Sequence, residues 1–304
     1  IVVAVLDSGV DTDHPDLAGD IVVQECFLAA GGCPGGDTLA SGPGAAEDDH
    51  GHGTNVAGII TSTGTVSPVG VAPDAKIAAY KVLSAGGFWF FSDGLAALSD
   101  IIANQPSVRA VNMSLVSFST FPGSCNTFLL AATAAINTLR AVGVLTFVSS
   151  GNNAAKSAST FPSCVSNAVS VGAVYDQTLP TSTFFGCTDT PATVDRVTCW
   201  SNSDTTLDLL APGAFITSTG MGGGTSTYGG TSQAAPHATG AAALVLQAFP
   251  SLSASQIEAL LKSTGVPVTD TANGRVTPRL NVLAAVSQVD TDGDGVPDLS
   301  DNCP

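Results

Sequence analysis

The chain has 304 residues, 44% of them hydrophobic and only 11% charged, with 33 Gly and 17 Pro. This composition excludes intrinsic disorder, and no apolar run approaches the roughly 18–20 residues of a membrane-spanning helix. Nine basic against 25 acidic residues leave a net charge of −16, so nucleic acid, held mainly by Lys and Arg on phosphate, is not an expected partner.

In chain order, the first element is the unbroken apolar run Ile1 to Leu6, ended by Asp7-Ser8-Gly9. Such a run bounded by turn residues predicts a strand buried on both faces. Short runs of the same kind predict strands near 77–83, 107–113, 143–149, 168–174 and 206–210. Helices are predicted over 54–62, 92–104, 127–142, 232–249 and 254–264, the last opened by the capping box Ser253-Ala-Ser-Gln256. A weakly amphipathic helix follows from Arg279 to Ser287. Strand and helix alternate, which predicts an α/β fold: a mostly parallel sheet flanked by helices on both faces, with sites outside the carboxyl ends of its strands. The Gly/Ser/Thr stretch 220–231 is too short for an interdomain linker.

Seven cysteines, at 26, 33, 125, 164, 187, 199 and 303, include no C-x-x-C pair and no zinc-spaced Cys/His cluster. A disulfide framework suits them better. Spacing leaves the connectivity open; proximity suggests Cys26–Cys33, Cys125–Cys164 and Cys187–Cys199, with Cys303 left over. Disulfides imply an oxidising compartment, hence a secreted protein. A chain that begins at Ile1 and enters a strand at once is expected to be a mature or trimmed form.

Four residues have settings suited to nucleophilic catalysis. Asp7 ends the first strand, where its carboxylate could orient an imidazole; the plain alternative is a turn aspartate, one of 22 (25 acids less Glu25, Glu47 and Glu258). His52, in Asp49-His-Gly-His52-Gly-Thr, enters a helix between glycines that leave room for a substrate; a helix-capping histidine would look similar. Ser232, in Gly229-Gly-Thr-Ser-Gln-Ala-Ala-Pro-His237, begins an Ala-rich helix whose first N–H groups can face an oxyanion; an ordinary N-cap serine is the alternative. Asn152, in Ser149-Ser-Gly-Asn-Asn153, could donate its amide to the same oxyanion, or simply sit in a turn.

Together, Val5-Leu-Asp7-Ser-Gly-Val, His52-Gly-Thr-Asn-Val-Ala-Gly58, Gly70-Val-Ala-Pro73, Val111-Asn-Met-Ser-Leu115, Ser150-Gly-Asn152 and Gly230-Thr-Ser232-Gln-Ala-Ala-Pro-His237 resemble the subtilisin-like serine proteases (subtilases). The pattern covers about residues 1–286 and has that family's order of Asp, His, Ser. The resemblance implies peptide-bond hydrolysis through an acyl-enzyme. Ser232 would be the nucleophile, His52 the general base and then acid, Asp7 its orienter, and Asn152 with the Ser232 N–H the oxyanion hole. Ser114, Leu115 and Val116, with Ser149, Ser150 and Gly151 opposite, would form the substrate cleft by strand addition. A precursor pro-segment, a monomer acting on proteins or peptides, and no membrane partner are also implied.

The chain departs from the family pattern in places. Asn55 replaces the histidine usual three places after the catalytic one, and Gln233 replaces the oxidisable Met usual after the nucleophile, which implies peroxide resistance. Val116-Ser117 replaces a common Gly-Gly and should narrow nearby subsites. The chain starts late, without a leading helix, and the loop Thr61 to Val69 is slightly short. Asp16, at a position that often binds calcium in the family, is carried over as a ligand candidate.

From Asp290 the register changes. Counting Asp290 as the first position, Asp290, Asp292, Asp294, Asp298 and Asp301 fall at 1, 3, 5, 9 and 12, with Gly295 at 6 and the Val296 carbonyl at 7, a calcium-loop spacing with a shortened final carboxylate. The closing Asp-Asn-Cys-Pro resembles the start of a thrombospondin type 3 repeat. The expected organisation is therefore a peptidase domain over 1–286 and a truncated calcium-binding tail over 287–304, with structural calcium as the expected cofactor. Alternatively the chain is a catalytically silent, calcium-dependent extracellular adhesive module. An α/β-hydrolase is excluded by chain order and by Ala234 where G-x-S-x-G needs Gly. A nucleotide site at Gly222-Gly-Gly lacks the following Gly-Lys-Ser/Thr.

Overall fold

The structure, a computed structural model, describes residues 1–288. The calcium-type positions Asp290, Asp292, Asp294, Val296, Asp298 and Asp301, and Cys303, lie outside the described residues.

The chain opens with β1 (Val2–Asp7), β2 (Ile21–Phe27), the short β3 (Leu39–Ser41), α1 (His52–Thr61) and β4 (Lys76–Lys81). It continues through α2 (Phe91–Asn104), β5 (Val108–Met113), β6 (Thr120–Phe121), α3 (Leu130–Ala141), β7 (Leu145–Ser149), β8 (Ser159–Thr160) and β9 (Val169–Val174). Then come β10 (Ser182–Phe184), β11 (Cys187–Asp189), β12 (Leu209–Pro212), β13 (Ile216–Gly220) and β14 (Gly224–Tyr228). The last elements are α4 (Thr231–Ala248), α5 (Ala254–Ser263), β15 (Val266–Thr269), β16 (Val276–Arg279) and α6 (Val282–Ser287).

One sheet of 10 strands has the order β15-β16-β12-β9-β7-β5-β1-β4-β2-β3. From β16 to β2 every pairing is parallel, and only the outermost β15 and β3 run antiparallel to their neighbours. The chain builds one side of β1 with β2 and β4 and the other with β5, β7, β9 and β12. The strand order therefore reverses at β1, and in such sheets the crevice outside the carboxyl ends at that reversal is where ligands bind.

Successive residues of β1 explain why its sequence is apolar without a break. Val3 and Val5 join a core with Val56 and Ile60 of α1 and Ala238 and Ala242 of α4, whereas Ala4 and Leu6 join a second core with Leu98 of α2 and Ile136 of α3. Alternating side chains thus serve opposite faces, each covered by helices. This is the expected α/β architecture.

Several boundaries differ from the sequence expectation for local reasons. The strand expected at 206–210 begins at Leu209 because Asp204 turns the chain, accepting the Thr206 N–H and hydroxyl at 2.9 and 2.6 Å. The helix expected from Arg279 begins at Val282: Arg279 still belongs to β16, and Asn281 caps the helix by accepting the Ala284 N–H at 3.2 Å. The 220–231 stretch contains the turn of the β13–β14 hairpin, with Gly222 and Gly223 both at φ 74°, where glycine avoids the left-handed penalty. Cys26–Cys33, Cys125–Cys164 and Cys187–Cys199 are bonded as proximity suggested. Among the described residues no helix is long and apolar enough to cross a membrane.

Candidate active site

Asp7 is the last residue of β1, at the reversal of the sheet, and is completely buried. Its Oδ1 accepts the Ser8 N–H at 2.8 Å and pairs with His52 Nδ1 at 2.7 Å. Its Oδ2 is buried with no hydrogen-bond partner among the described residues. Gly53 allows this approach, since a Cβ there would stand 2.1 Å from the Gly9 carbonyl and 3.1 Å from Asp7 Cβ. The imidazole is 18% exposed, enough to meet a substrate. Burial works against its charged form, but the Asp7 charge, the Asp7 hydrogen bond and the Asp48 charge outweigh this and hold the His52 pKa above its usual value.

His52 begins α1, and the loop before it is organised by Asp48. One oxygen of Asp48 accepts the Ser8 hydroxyl and the His50 and Gly51 N–H groups at 2.8, 3.0 and 3.0 Å. The other accepts the Thr54 N–H and hydroxyl at 2.9 and 2.6 Å. The first turn of α1 is thereby capped from a distance, fixing the direction in which His52 leaves the helix.

Ser232 lies in the first turn of α4. Its carbonyl accepts the Ser114 hydroxyl at 2.7 Å, Asn112 Nδ2 donates to Ser114 Oγ at 3.0 Å, and Thr239 Oγ1 donates to Asn112 Oδ1 at 3.1 Å. This buried chain pins the start of α4 to the end of β5. The Ser232 hydroxyl donates to the Ser114 carbonyl at 3.3 Å and makes no hydrogen bond to His52; both residues flank Ser114, which lines a pocket with His52. Catalytic hydrogen bonds commonly tighten only when substrate is bound. Asn152 follows β7. Its Oδ1 accepts the Thr231 N–H at 2.9 Å and hydroxyl at 3.0 Å, which leaves Nδ2 facing the turn at Gly230, ahead of the Ser232 N–H.

The subtilase family model matches residues 1–288. The chain belongs to the subtilase family. It is 35% identical over 275 residues to Subtilisin BL of Lederbergia lenta, covering 88% of this chain and 84% of that one. It is 34% identical over 272 residues to an alkaline protease of Alkalihalobacillus alcalophilus, covering 88% of this chain but only 60% of that protein. The solved structure of Sphericase superposes with a TM-score of 0.74 at 29% identity, covering 92% of this chain and 91% of the other. Family and relatives make this chain a serine endopeptidase acting on proteins.

As a subtilase it differs from expectation at Asp16. Subtilases generally bind calcium, and Asp16 was the ligand expected in this domain. The structure instead surrounds Asp16 with donors. Oδ1 accepts from the Thr63 hydroxyl and the Thr65 and Val66 N–H groups at 2.9, 2.7 and 3.2 Å. Oδ2 accepts from the Val66 and Ser67 N–H groups and the Ser67 and Ser62 hydroxyls at 3.0, 2.8, 2.9 and 3.3 Å. Burial alone would raise its pKa; these donors reverse that and hold it far below the usual carboxylate range. Positive N–H ends point at the carboxylate where a cation would need lone pairs, so the residues do not fit calcium. Ser149, Ser150 and Gly151, expected opposite Ser114, Leu115 and Val116, are buried, and the Ser149 and Ser150 hydroxyls donate to the Leu115 and Asn202 carbonyls at 3.3 and 3.0 Å.

Sequence reasoning missed two residues beside Asp7 and His52. Asp48 left a faint signal, an acid and a glycine just ahead of a helix start. Lys81 left a plainer one, a cation inside an apolar strand. It is 1% exposed, stands opposite Asp7 in the β1–β4 register, and donates from Nζ to the Ser8 carbonyl at 2.7 Å and to Asp49.

Proposed function

We propose that this subtilase hydrolyses peptide bonds with Ser232 as nucleophile, His52 as general base and acid, and Asp7 as its orienter. The Asn152 amide and the Ser232 N–H would hold the oxyanion. The observation that carries this reading is the 2.7 Å Asp7–His52 pair at the reversal of the sheet, with Ser232 and Asn152 both brought to its rim. Ser232 Oγ attacks the substrate carbonyl carbon while its proton passes to His52 Nε2. The acyl-enzyme forms as that proton is delivered to the leaving amine, and a water molecule repeats the cycle to release the acid. The buried Asp7 charge favours the imidazolium at each transfer. An extended substrate would lie along Ser114, Leu115 and Val116 as an added strand.

In this reading residues 1–286 are the catalytic unit, made as a precursor with a pro-segment and secreted as a monomer. The three disulfides support an oxidising compartment. Structural calcium is assigned to the tail at Asp290, Asp292, Asp294, Val296, Asp298 and Asp301, on the strength of their spacing. The catalytically silent adhesive module is the weaker reading, because Asp7, His52, Ser232 and Asn152 are all retained. A serine-directed fluorophosphonate is expected to label the wild type and not Ser232→Ala, and casein cleavage should fall by about 10⁶-fold in that variant. Unlabelled folded protein, or undiminished cleavage by Ser232→Ala, would overturn the assignment.

A further inference from the structure

The segment leading into α2 reads Ser84-Ala-Gly-Gly-Phe-Trp-Phe-Phe91. Phe88 and Phe90 are largely exposed, whereas Trp89 between them turns inward and is half-buried. Its indole N–H donates to the Val116 carbonyl at 3.0 Å. The ring has a fitted seat. Gly94 of α2 makes room for it, since a Cβ there would come within 2.8 Å of Trp89 Cζ3, and the Phe91 ring meets it edge-on at 5.2 Å. An indole held by one hydrogen bond, one edge contact and one missing Cβ has a defined position.

That position lies across the cleft assigned to substrate. Carbonyls alternate along an extended strand, so those of Ser114 and Val116 face one edge and that of Leu115 the other. The Leu115 carbonyl is taken by Ser149 on the β7 side, while that of Ser114 faces the Ser232 hydroxyl. A peptide adding to the free edge would donate an N–H to Ser114 from the residue at the cut, and to Val116 from the residue two places before it. Trp89 already occupies the second acceptor. Its ring also separates two hollows: one lined by His50, His52 and Leu83, the other, of about 360 Å³, by Phe88, Phe90 and Phe118.

Building on the protease reading above, we propose that Trp89 is a specificity-determining gate that stands in for a substrate residue. Substrate contacting only the His52 hollow binds with the indole in place. A longer peptide must swing it out to reach the Val116 carbonyl and the aromatic hollow, and so gains little from its extra length. Without Trp89 the same extension would bind freely, preferring an apolar side chain in the hollow between Phe88 and Phe118.

The test compares two p-nitroanilides with the same pair of residues next to the cut, one an acetyl-dipeptide and one an acetyl-pentapeptide ending in apolar residues. In the wild type kcat/KM is expected to differ little between them. In Trp89→Ala the long-to-short ratio should rise about tenfold, the scale of one hydrogen bond plus a buried side chain. Trp89→Phe, which keeps a ring but loses the N–H, should fall between and carries the test if the alanine variant does not fold. The chain has only 2 Trp, and Trp200 is fully buried. Binding of the pentapeptide aldehyde should therefore change the wild-type emission more than binding of the dipeptide aldehyde, whose hollow Trp89 also borders. A ratio unmoved by either variant, or an emission indifferent to the longer aldehyde, overturns the gate while short-substrate turnover leaves the protease reading standing. Absence of both turnover and fluorophosphonate labelling removes that reading, and the gate with it.

Discussion

Asp7 and Asp16 are both buried carboxylates, one at the end of β1 and one in the loop after it, yet their surroundings differ in kind. Asp16 accepts from three backbone N–H groups and three hydroxyls, so its charge is met by the fold itself. Asp7 accepts the Ser8 N–H and pairs with the His52 imidazole, and its other oxygen has no partner among the described residues. A carboxylate saturated by fixed donors becomes a structural anion, whereas one left undersatisfied acts on the nearest group able to take up a proton. The same residue type thus stabilises the chain at one place and raises the basicity of His52 at the other.

Asp7→Asn breaks the comparison at its catalytic end. The amide keeps the shape but removes the charge, and kcat is expected to fall by about 10⁴-fold, the scale seen for this change in a different serine protease. The pH profile gives the independent check. In the proposed mechanism His52 acts as a base only when neutral, and its pKa is raised, so activity should be lost on acidification at a pH above the ordinary imidazole value near 6.5. With the Asp7 charge gone, burial is the larger remaining influence, and the limb should move to lower pH. A limb in the same place in both proteins would show that Asp7 does not set the His52 pKa.

Asp16→Asn breaks it at the structural end. An amide turns an NH2 group toward N–H donors, and stability should drop by about 3 kcal/mol, the scale of one or two buried donors left unpaired. This should appear as a lower urea midpoint at unchanged m. Because the folded pKa of Asp16 lies below its unfolded value, its contribution is complete above the unfolded value near 3.9 and is lost as pH falls from there toward the folded one. The stability gap between wild type and variant should therefore close in acid. If calcium binds the tail and not Asp16, the rise in Tm on adding calcium should be equal in wild type and Asp16→Asn and absent in Asp290→Ala. A calcium effect lost in Asp16→Asn would contradict the donor cage.

These contrasts bear on what a sequence can reveal. The sheet was legible because double-sided burial makes β1 an unbroken apolar run and leaves only Ser170 and Gly172 to interrupt β9. Strands with an exposed face were not: Gln24 and Glu25 interrupt the apolar pattern of β2, and β14 is written in Gly, Ser and Thr up to its closing Tyr228. Asp7, His52 and Ser232 stood out through local motifs, since each needs a particular strand end or helix start. The roles of Asp16, Lys81 and Trp89 depend on partners distant in sequence, 46 to 51 residues away for the Asp16 donors, and no local pattern encodes those meetings. The loop from Thr61 to Val69 was readable as short. That its backbone would close on a carboxylate was not.

Two departures from the family pattern, Asn55 and Gln233, illustrate the same point at a smaller scale. Read separately they are unrelated substitutions. In the fold Gln233 Nε2 donates to Asn55 Oδ1 at 3.3 Å, and Asn55 Nδ2 donates to the Ser226 carbonyl and hydroxyl at 3.1 and 3.0 Å, so the pair ties α4 to α1 and β14 directly beside Ser232. Gln233→Met should leave Asn55 Oδ1 buried without that donor and lower stability by about 1 kcal/mol. It should also make activity sensitive to peroxide, because a thioether next to Ser232 can be oxidised and an amide cannot. In Asn55→Ala the same Gln233→Met change should cost measurably less, since the acceptor is already gone. Equal costs in both backgrounds would mean that the two residues act independently and that their joint departure from the pattern has no structural link.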